Sequence, residues 1–402
     1  MNIQASNRFN KIKPYAFAEI NKKVAALKEA AARGEAKDPI DFGVGDPSEP
    51  TPEFVIKGLE AAGKKHACSG YPNYVGSKEY REECASYMKR RFGVEFDPET
   101  EICSSVGSKE AVFNFPEGFI NPGDVVICPS PGYPPYKTGT IFAEGEPYFV
   151  PLLAENGFLV DYEAIPAEIC ERAKIIWINY PNSPTGAVAS REYYEGLIAW
   201  ANDHDIIIAA DEGCYIDIYF DDKPISILEV GREGVVAFYS MSKRNNMTGY
   251  RAGFVCGDSR VVDIYKRLKT NIDSGTPSIV QEAAILALKD DTHVEKMRGI
   301  YKEKRDILEG ALKSAGLVVE ESSATFYVWQ RVPAGVSDVQ FAEMLLAPEV
   351  AIVVTPGSLI SDECEGGINP GEGYVRFALM PTIEEMKEAA ERLMRLMRVV
   401  RV

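Results

Sequence analysis

The most chemically loaded stretch of this chain is Ser240-Met241-Ser242-Lys243, with Gly249-Tyr250-Arg251 close behind it. It follows the apolar run Val235–Tyr239, so a strand delivers it to a sheet edge. Two hydroxyls and an arginine can surround a phosphate, while a lysine amine can condense with a carbonyl. Taken alone, Ser-x-Ser-Lys is as ordinary as any solvated loop. Three other segments add weight to it. Asp211 closes the apolar run Asp205–Ala210 and so puts a carboxylate where open α/β sheets bind ligands. Pro181-Asn182-Ser183-Pro184-Thr185-Gly186 follows another apolar run. Gly107-Ser108-Lys109-Glu110-Ala111 opens a helix, whose first backbone amides suit a phosphate. An amine, a carboxylate and two anion-binding segments thus converge on one side of a sheet.

The elements that must position them alternate between strand and helix. Short, nearly all-apolar runs at Val125–Pro129, Lys174–Asn179, Asp205–Ala210, Val235–Tyr239 and Ala252–Cys256 read as strands covered on both faces. Ser190–His204 carries Tyr194, Leu197, Ile198 and Ala201 at helical spacing behind an N-cap serine, which is the crossover helix of a parallel sheet. From about residue 290 the pattern changes. Long charged helices, Thr292–Ala315 and Thr382–Arg398, flank short strands at Phe326–Gln330 and Tyr374–Leu379, the mark of a smaller α+β domain. The amphipathic stretch Phe17–Ala32 belongs either with that second domain or with a partner subunit.

Composition removes several classes of function. The 402 residues predict two to three domains at about 150 residues each. Lys and Arg total 44 against 60 Asp and Glu, a balance of −16 that repels nucleic acid and anionic lipid. The three histidines, His66, His204 and His293, lack metal-site spacing and read as packing or surface residues. Eight cysteines without a C-x-x-C pair fit a reducing, cytoplasmic protein. No run approaches the ~18 apolar residues of a membrane span. The G-x-G-x-x-G, P-loop, H-E-x-x-H and G-x-S-x-G motifs are all missing.

Taken in order along the chain, these motifs resemble the fold-type-I, pyridoxal-phosphate-dependent aminotransferases of class I/II. The resemblance runs from Gly43-Val44-Gly45-Asp46-Pro47 through Tyr71-Pro72-Asn73-Tyr74-Val75-Gly76, Gly107-Ser108-Lys109 and Pro131-Gly132-Tyr133-Pro134. It continues through Pro184-Thr185-Gly186, Asp211, Ser240–Lys243 and Arg251 to Tyr374-Val375-Arg376-Phe377. Several segments are most similar to LL-diaminopimelate aminotransferases, among them Tyr15–Ile20, Asn271-Ile272-Asp273-Ser274-Gly275 and Ala324–Gln330. The resemblance implies a large domain with a mostly parallel mixed sheet sandwiched by helices, over residues 51–288. It also implies an N-terminal arm with a small-domain segment, 1–50, and a small C-terminal domain, 289–402.

Carried over residue by residue, it implies that Lys243 joins the aldehyde of pyridoxal 5'-phosphate and then acts as acid and base. Ser108, Lys109, Ser240, Ser242 and Arg251 hold the phosphate, Tyr133 stacks on the ring and Asp211 keeps the ring nitrogen protonated. Tyr71 reaches the phosphate of a neighbouring subunit, implying a homodimer with shared active sites. Arg376 and the Gly45 backbone grip the substrate carboxylate, and Tyr15 and Asn271 stand at substrate-contacting positions. The implied reaction moves an amino group between an amino acid and a 2-oxo acid, with LL-diaminopimelate and 2-oxoglutarate, in lysine biosynthesis, as the leading pair. A broad-range or aromatic aminotransferase, a β-lyase on the same fold and a regulatory cofactor-binding module are the alternatives.

Three departures bear on the site. The family usually has asparagine directly before Pro-Thr-Gly; here Ser183 stands there and the asparagine is Asn182, so either of the two meets the ring hydroxyl. Tyrosine usually follows the aspartate by three residues, whereas Tyr215 follows Asp211 by four. Glu212 therefore competes for the ring nitrogen; the interval of 25 residues from Gly186 (211 − 186) favours Asp211, with Gly213 absorbed in a turn. Finally, diaminopimelate-specific relatives often carry glutamate three residues after the position of Tyr71, where this chain has Tyr74.

Overall fold

The apolar runs between residues 100 and 260 assemble into one twisted sheet in the computed structural model, which describes residues 1–12, 18–47 and 49–400. In chain order the strands are β1 (Ile40–Asp41), β2 (Ile102–Ser105), β3 (Val125–Ser130), β4 (Glu146–Pro151), β5 (Ala173–Ile178) and β6 (Ile207–Gly213). They continue with β7 (Val235–Ser240), β8 (Gly253–Gly257), β9 (Tyr327–Arg331), β10 (Ile352–Val353), β11 (Thr355–Pro356) and β12 (Tyr374–Ala378). The large sheet has the order β2-β8-β7-β6-β5-β3-β4. Only β8 runs against its neighbours; the other pairings are parallel.

Parallel strands need crossovers, and Ser190 supplies one by capping the helix Arg191–Asp203 through its hydroxyl, which accepts from Tyr193 N. With helices on both sides, strand residues alternate between two apolar layers. Ile176, Ala210, Ala237 and Tyr239 lie in one layer with Tyr87 and Leu197. Trp177, Ala209, Val236 and Phe238 lie in the other with Phe115 and Tyr136. Two strands of the large sheet are not expected from the sequence. β2 reads Ile-Cys-Ser-Ser and lacks an apolar run, although it is fully buried. β4 is a half-exposed edge strand with a proline near each end, where a missing N–H is tolerated.

The strand β6 departs most from expectation. It begins at Ile207 and continues through Gly213, three residues past the expected end. Ala210 pairs with Ala237 and Gly213 with Tyr239, so three steps on β6 match two on β7. The extra residue is a β-bulge, and not a turn after the strand. Gly213 is required there, because a Cβ would collide with the backbone of Tyr239.

A second apolar cluster gathers the helices Thr292–Ser314, Asp338–Leu345 and Ile383–Val400 over the antiparallel sheet β11-β12-β9. Ile40 and Phe42 belong to it, because β1 pairs with β10 in parallel and Ala378 N donates to Phe42 O. The N-terminal helix Ala18–Ala32 reaches the same region through Lys23, whose Nζ lies 2.5 Å from Glu343. Among the described residues no helix is long and apolar enough to cross a membrane.

Candidate active site

Ser240 ends β7 and caps the single helical turn Met241–Arg244, its Oγ accepting from Ser242 N at 3.2 Å. The same hydroxyl donates to Ser242 Oγ at 2.9 Å. Arg251 holds a left-handed backbone, φ 58°, which is uncommon outside glycine and turns its guanidinium back over this loop. Nη1 donates to Thr248 O at 2.8 Å and to Ser242 Oγ at 3.3 Å, and Nη2 to Val106 O at 3.4 Å. Gly107 must lack a side chain, because a Cβ would run into that guanidinium. Ser108 follows, buried, with its Oγ 3.4 Å from Cys214 Sγ, while Lys109 is exposed on the same helical turn. Two hydroxyls and a guanidinium are therefore in contact beside the first turn of the helix Ser108–Asn114.

Lys243 lies one residue past Ser242, and its Nζ donates to Gly45 O at 2.7 Å. The ammonium also faces the ring of Phe326 at 5.7 Å. Asp211 comes from β6 on the Tyr136 side. Tyr136 donates to its Oδ2 at 2.9 Å, while Oδ1 is buried without a partner. Burial pushes the carboxyl up to about 6, against the pull of the Tyr136 hydrogen bond. Glu212 faces the opposite layer. Its carboxylate accepts from Ser226 Oγ, from Tyr239 OH at 2.5 Å and from Ile227 N at 3.2 Å. Burial lifts it to about 7. Strand alternation gives the neighbouring acids opposite surroundings, and of the two only Asp211 keeps an unpartnered oxygen.

Tyr133 packs edge-on against Tyr136 at 5.9 Å, and burial, followed by the nearby Asp211, raises its hydroxyl above the usual range. Tyr136 in turn stacks on Trp177 at 4.8 Å. Of the competing pair, Asn182 uses its side-chain oxygen to close its own turn, accepting from Thr185 Oγ1 at 2.8 Å and Thr185 N at 3.2 Å. Ser183 lies near Tyr215, whose hydroxyl burial holds well above its usual range. Asn179, on which sequence reasoning placed no role, braces this corner. It donates to Asp211 O at 2.5 Å and accepts from Ser183 N at 2.8 Å.

Arg376 on β12 donates from Nη2 to Gly43 O at 2.9 Å and keeps a buried Nε without a partner, so its donor fork is not used up. Tyr327, also not anticipated, lies under that guanidinium at 4.6 Å. Tyr71 is 85% exposed and lies outside this cluster of side chains, as does Asn271, whose amide turns back to Arg267 O. The segment after Asn271 packs on the loop that follows Tyr71: a Cβ on Gly275 would meet Asn73 O. Tyr15 lies outside the described residues. The tyrosines that were missed had one usable signal, the i, i+3 spacing of Tyr133 and Tyr136 at the start of the helix Pro134–Phe142.

These side chains suit one kind of ligand. A lone buried carboxylate oxygen matches a protonated ring nitrogen, the Ser-Arg cradle matches a phosphate dianion, and the amine of Lys243, the residue after Ser242, suits a carbonyl. A mixed, mostly parallel seven-stranded sheet carrying such a site defines a fold-type-I pyridoxal-phosphate enzyme. Comparison with known proteins narrows the class. The model of the family "Aminotransferase class I and II" matches residues 37–393. The chain is 43% identical to an LL-diaminopimelate aminotransferase of Aquifex aeolicus over 392 residues, covering 96% of this chain and 98% of the relative. It is 44% identical to an LL-diaminopimelate aminotransferase of Syntrophobacter fumaroxidans, covering 96% and 97%. Among solved structures, an aminotransferase from Neisseria meningitidis superposes with a TM-score of 0.89 at 32% identity, covering 98% of this chain and all of the other. The chain belongs to the class I and II aminotransferases, and it is a transaminase that uses pyridoxal 5'-phosphate.

Proposed function

We propose that this enzyme moves the amino group of LL-diaminopimelate to 2-oxoglutarate in lysine biosynthesis, as a cytoplasmic homodimer. The observation that supports the substrate is similarity to LL-diaminopimelate aminotransferases at 43% and 44% identity over nearly the whole chain. When bound, the cofactor supplies a carbonyl for the amino group and a ring that takes up the electrons released at the α-carbon. Lys243 would hold that carbonyl through its amine, and the amine, when free, would take and return the α-proton. The contact with Gly45 O gives the amine a defined resting position. Asp211, with its unpartnered Oδ1, would hold the ring nitrogen, and Tyr133 would lie against the ring.

In this reading Ser108, Lys109, Ser240, Ser242 and Arg251 anchor the phosphate. Tyr215, with Asn182 or Ser183, faces the ring hydroxyl. Arg376 grips the α-carboxylate in a two-pronged pair, with Gly45 beside it. Tyr15 and Asn271 approach the substrate, and Tyr71 crosses to the partner's phosphate site. Tyr71 and Tyr74, both exposed and three residues apart, offer aromatic surface to a partner subunit. The division of the chain that goes with this reading is 1–50, 51–288 and 289–402, and the clustering of Ile40 and Phe42 with the C-terminal strands supports it.

A second reading, a donor with a neutral or aromatic side chain, draws on Tyr74, whose phenol cannot pair with a distal ammonium as a carboxylate would. One experiment separates the two. The cofactor's visible absorbance is followed in rapid mixing with LL-diaminopimelate, glutamate, alanine and tyrosine. The proposal expects fast reaction with LL-diaminopimelate and glutamate; an enzyme inert to LL-diaminopimelate but responsive to tyrosine overturns it.

A further inference from the structure

Tyr327 stands where three parts of the site meet. It opens β9 opposite Ala378, so Arg376, two residues earlier on β12, is its diagonal neighbour on the same face. The Arg376 guanidinium lies 4.6 Å over its ring. Its hydroxyl is 3.5 Å from Tyr215 OH, and a Cβ on Gly45 would collide with that same hydroxyl. Gly45 is the residue whose carbonyl receives Lys243 Nζ at 2.7 Å.

The ring has little freedom. It is 4% exposed and edge-packed by Phe326 at 4.8 Å and Tyr215 at 5.8 Å. Its backbone is held at both ends: N donates to Thr325 Oγ1 at 3.1 Å and O accepts from Ser322 Oγ at 3.0 Å. A rigid aromatic face under a guanidinium fixes the plane of the donor fork and is selectively favourable to a cation. A carboxylate that pulls on Arg376 therefore also pulls on a ring whose far end touches Tyr215.

We propose that Tyr327 is a positioning residue that couples the carboxylate grip of Arg376 to the hydroxyl of Tyr215, so that acid binding at one is felt at the other. The inference rests on Arg376 being the carboxylate site, and the experiment separates the two claims. The probe is glutarate, a dicarboxylate with no amino group, added to the cofactor-loaded enzyme. Two quantities are read: the glutarate dissociation constant, and the midpoint of the cofactor's absorbance titration with pH, with and without saturating glutarate.

In the parent enzyme glutarate shifts that midpoint. Tyr327→Phe keeps the ring, so affinity stays within about twofold, but the glutarate-induced shift is lost. Tyr327→Leu removes the ring, weakens glutarate about tenfold and also loses the shift. The coupling is overturned if Tyr327→Phe shows the parent's shift, if the parent shows none, or if Tyr327→Leu binds glutarate as tightly as the parent. Arg376→Ala tests the underlying site: binding as tight as the parent's there discards Arg376 as the grip and the coupling with it. Loss of binding there, with normal behaviour in both Tyr327 variants, discards the coupling alone.

Discussion

Asp211 and Glu212 are neighbours on one strand, yet the two sides of the sheet treat their carboxyls differently. On one side Asp211 receives a single hydrogen bond, from Tyr136, and its second oxygen is buried without a partner. On the other, Glu212 accepts from Ser226, Tyr239 and the Ile227 backbone. Further along on that back side, Asp217 receives Arg244 Nε at 2.6 Å, Arg91 Nε at 2.7 Å and Tyr87 OH at 2.7 Å. Burial alone would raise the Asp217 carboxyl, but the two guanidiniums outweigh it and hold it well below the usual range. An unmet buried acceptor costs about 1–3 kcal/mol. Glu212 and Asp217 avoid that cost, and Asp211 retains it where a ligand can meet the acceptor.

The contrast can be broken from either side. Lys243→Ala acts on the site alone: amino transfer should fall by at least about 10⁴-fold, with thermal unfolding unchanged. Asp217→Ala acts on the back alone. It leaves Arg91 and Arg244 buried without their shared anion, and denaturant unfolding should show a loss of about 3–5 kcal/mol. The site's absorbance spectrum should persist at temperatures where the fold survives.

Glu212 gives a pH signature. Its folded carboxyl titrates at about 7, above the ordinary value of 4.5, so the folded state holds more protons between those limits. Stability from this group is fully present below about 4.5 and falls as pH rises toward 7. Glu212→Gln should flatten that fall by about 2–3 kcal/mol, measured as unfolding free energy against pH. Gly213→Ala touches both sides, since the new methyl meets the Tyr239 backbone. A loss of about 1–3 kcal/mol is expected, with slower amino transfer as the bulge that aims Asp211 shifts. Unchanged stability there would mean that the bulge is not tightly packed.

How much of this was legible in sequence follows the same division. Lys243, Arg251, Ser240 and Ser242 stand out by type and spacing, because an amine and a phosphate cradle need those groups after a strand. Asp211 stood out as a carboxylate at the end of an apolar run, but its rivalry with Glu212 could not be resolved along the chain. The direction of each acid depends on a bulge whose register is set by Tyr239, a residue on the neighbouring strand. Tyr327 left no signal and Tyr136 only its spacing from Tyr133, since a buried tyrosine that aims a carboxylate or a guanidinium has the same sequence pattern as one that fills a core. The strand β2 escaped for a similar reason: Ser104 and Ser105 are buried by tertiary packing, not by their own hydrophobicity. Tyr71 and Asn271 are legible only as motif positions, because within one chain both are exposed.

One strand thus carries two buried acids, and the proposed function assigns Asp211 to the cofactor ring and leaves Glu212 to the fold. The direct measurement is the single-turnover rate of cofactor conversion by LL-diaminopimelate, or by glutamate if that is the faster donor, in the isosteric variants Asp211→Asn and Glu212→Gln. A fall of at least about 10²-fold is expected for Asp211→Asn, and a rate within about threefold of the parent for Glu212→Gln. A near-normal rate in Asp211→Asn with collapse in Glu212→Gln would contradict it.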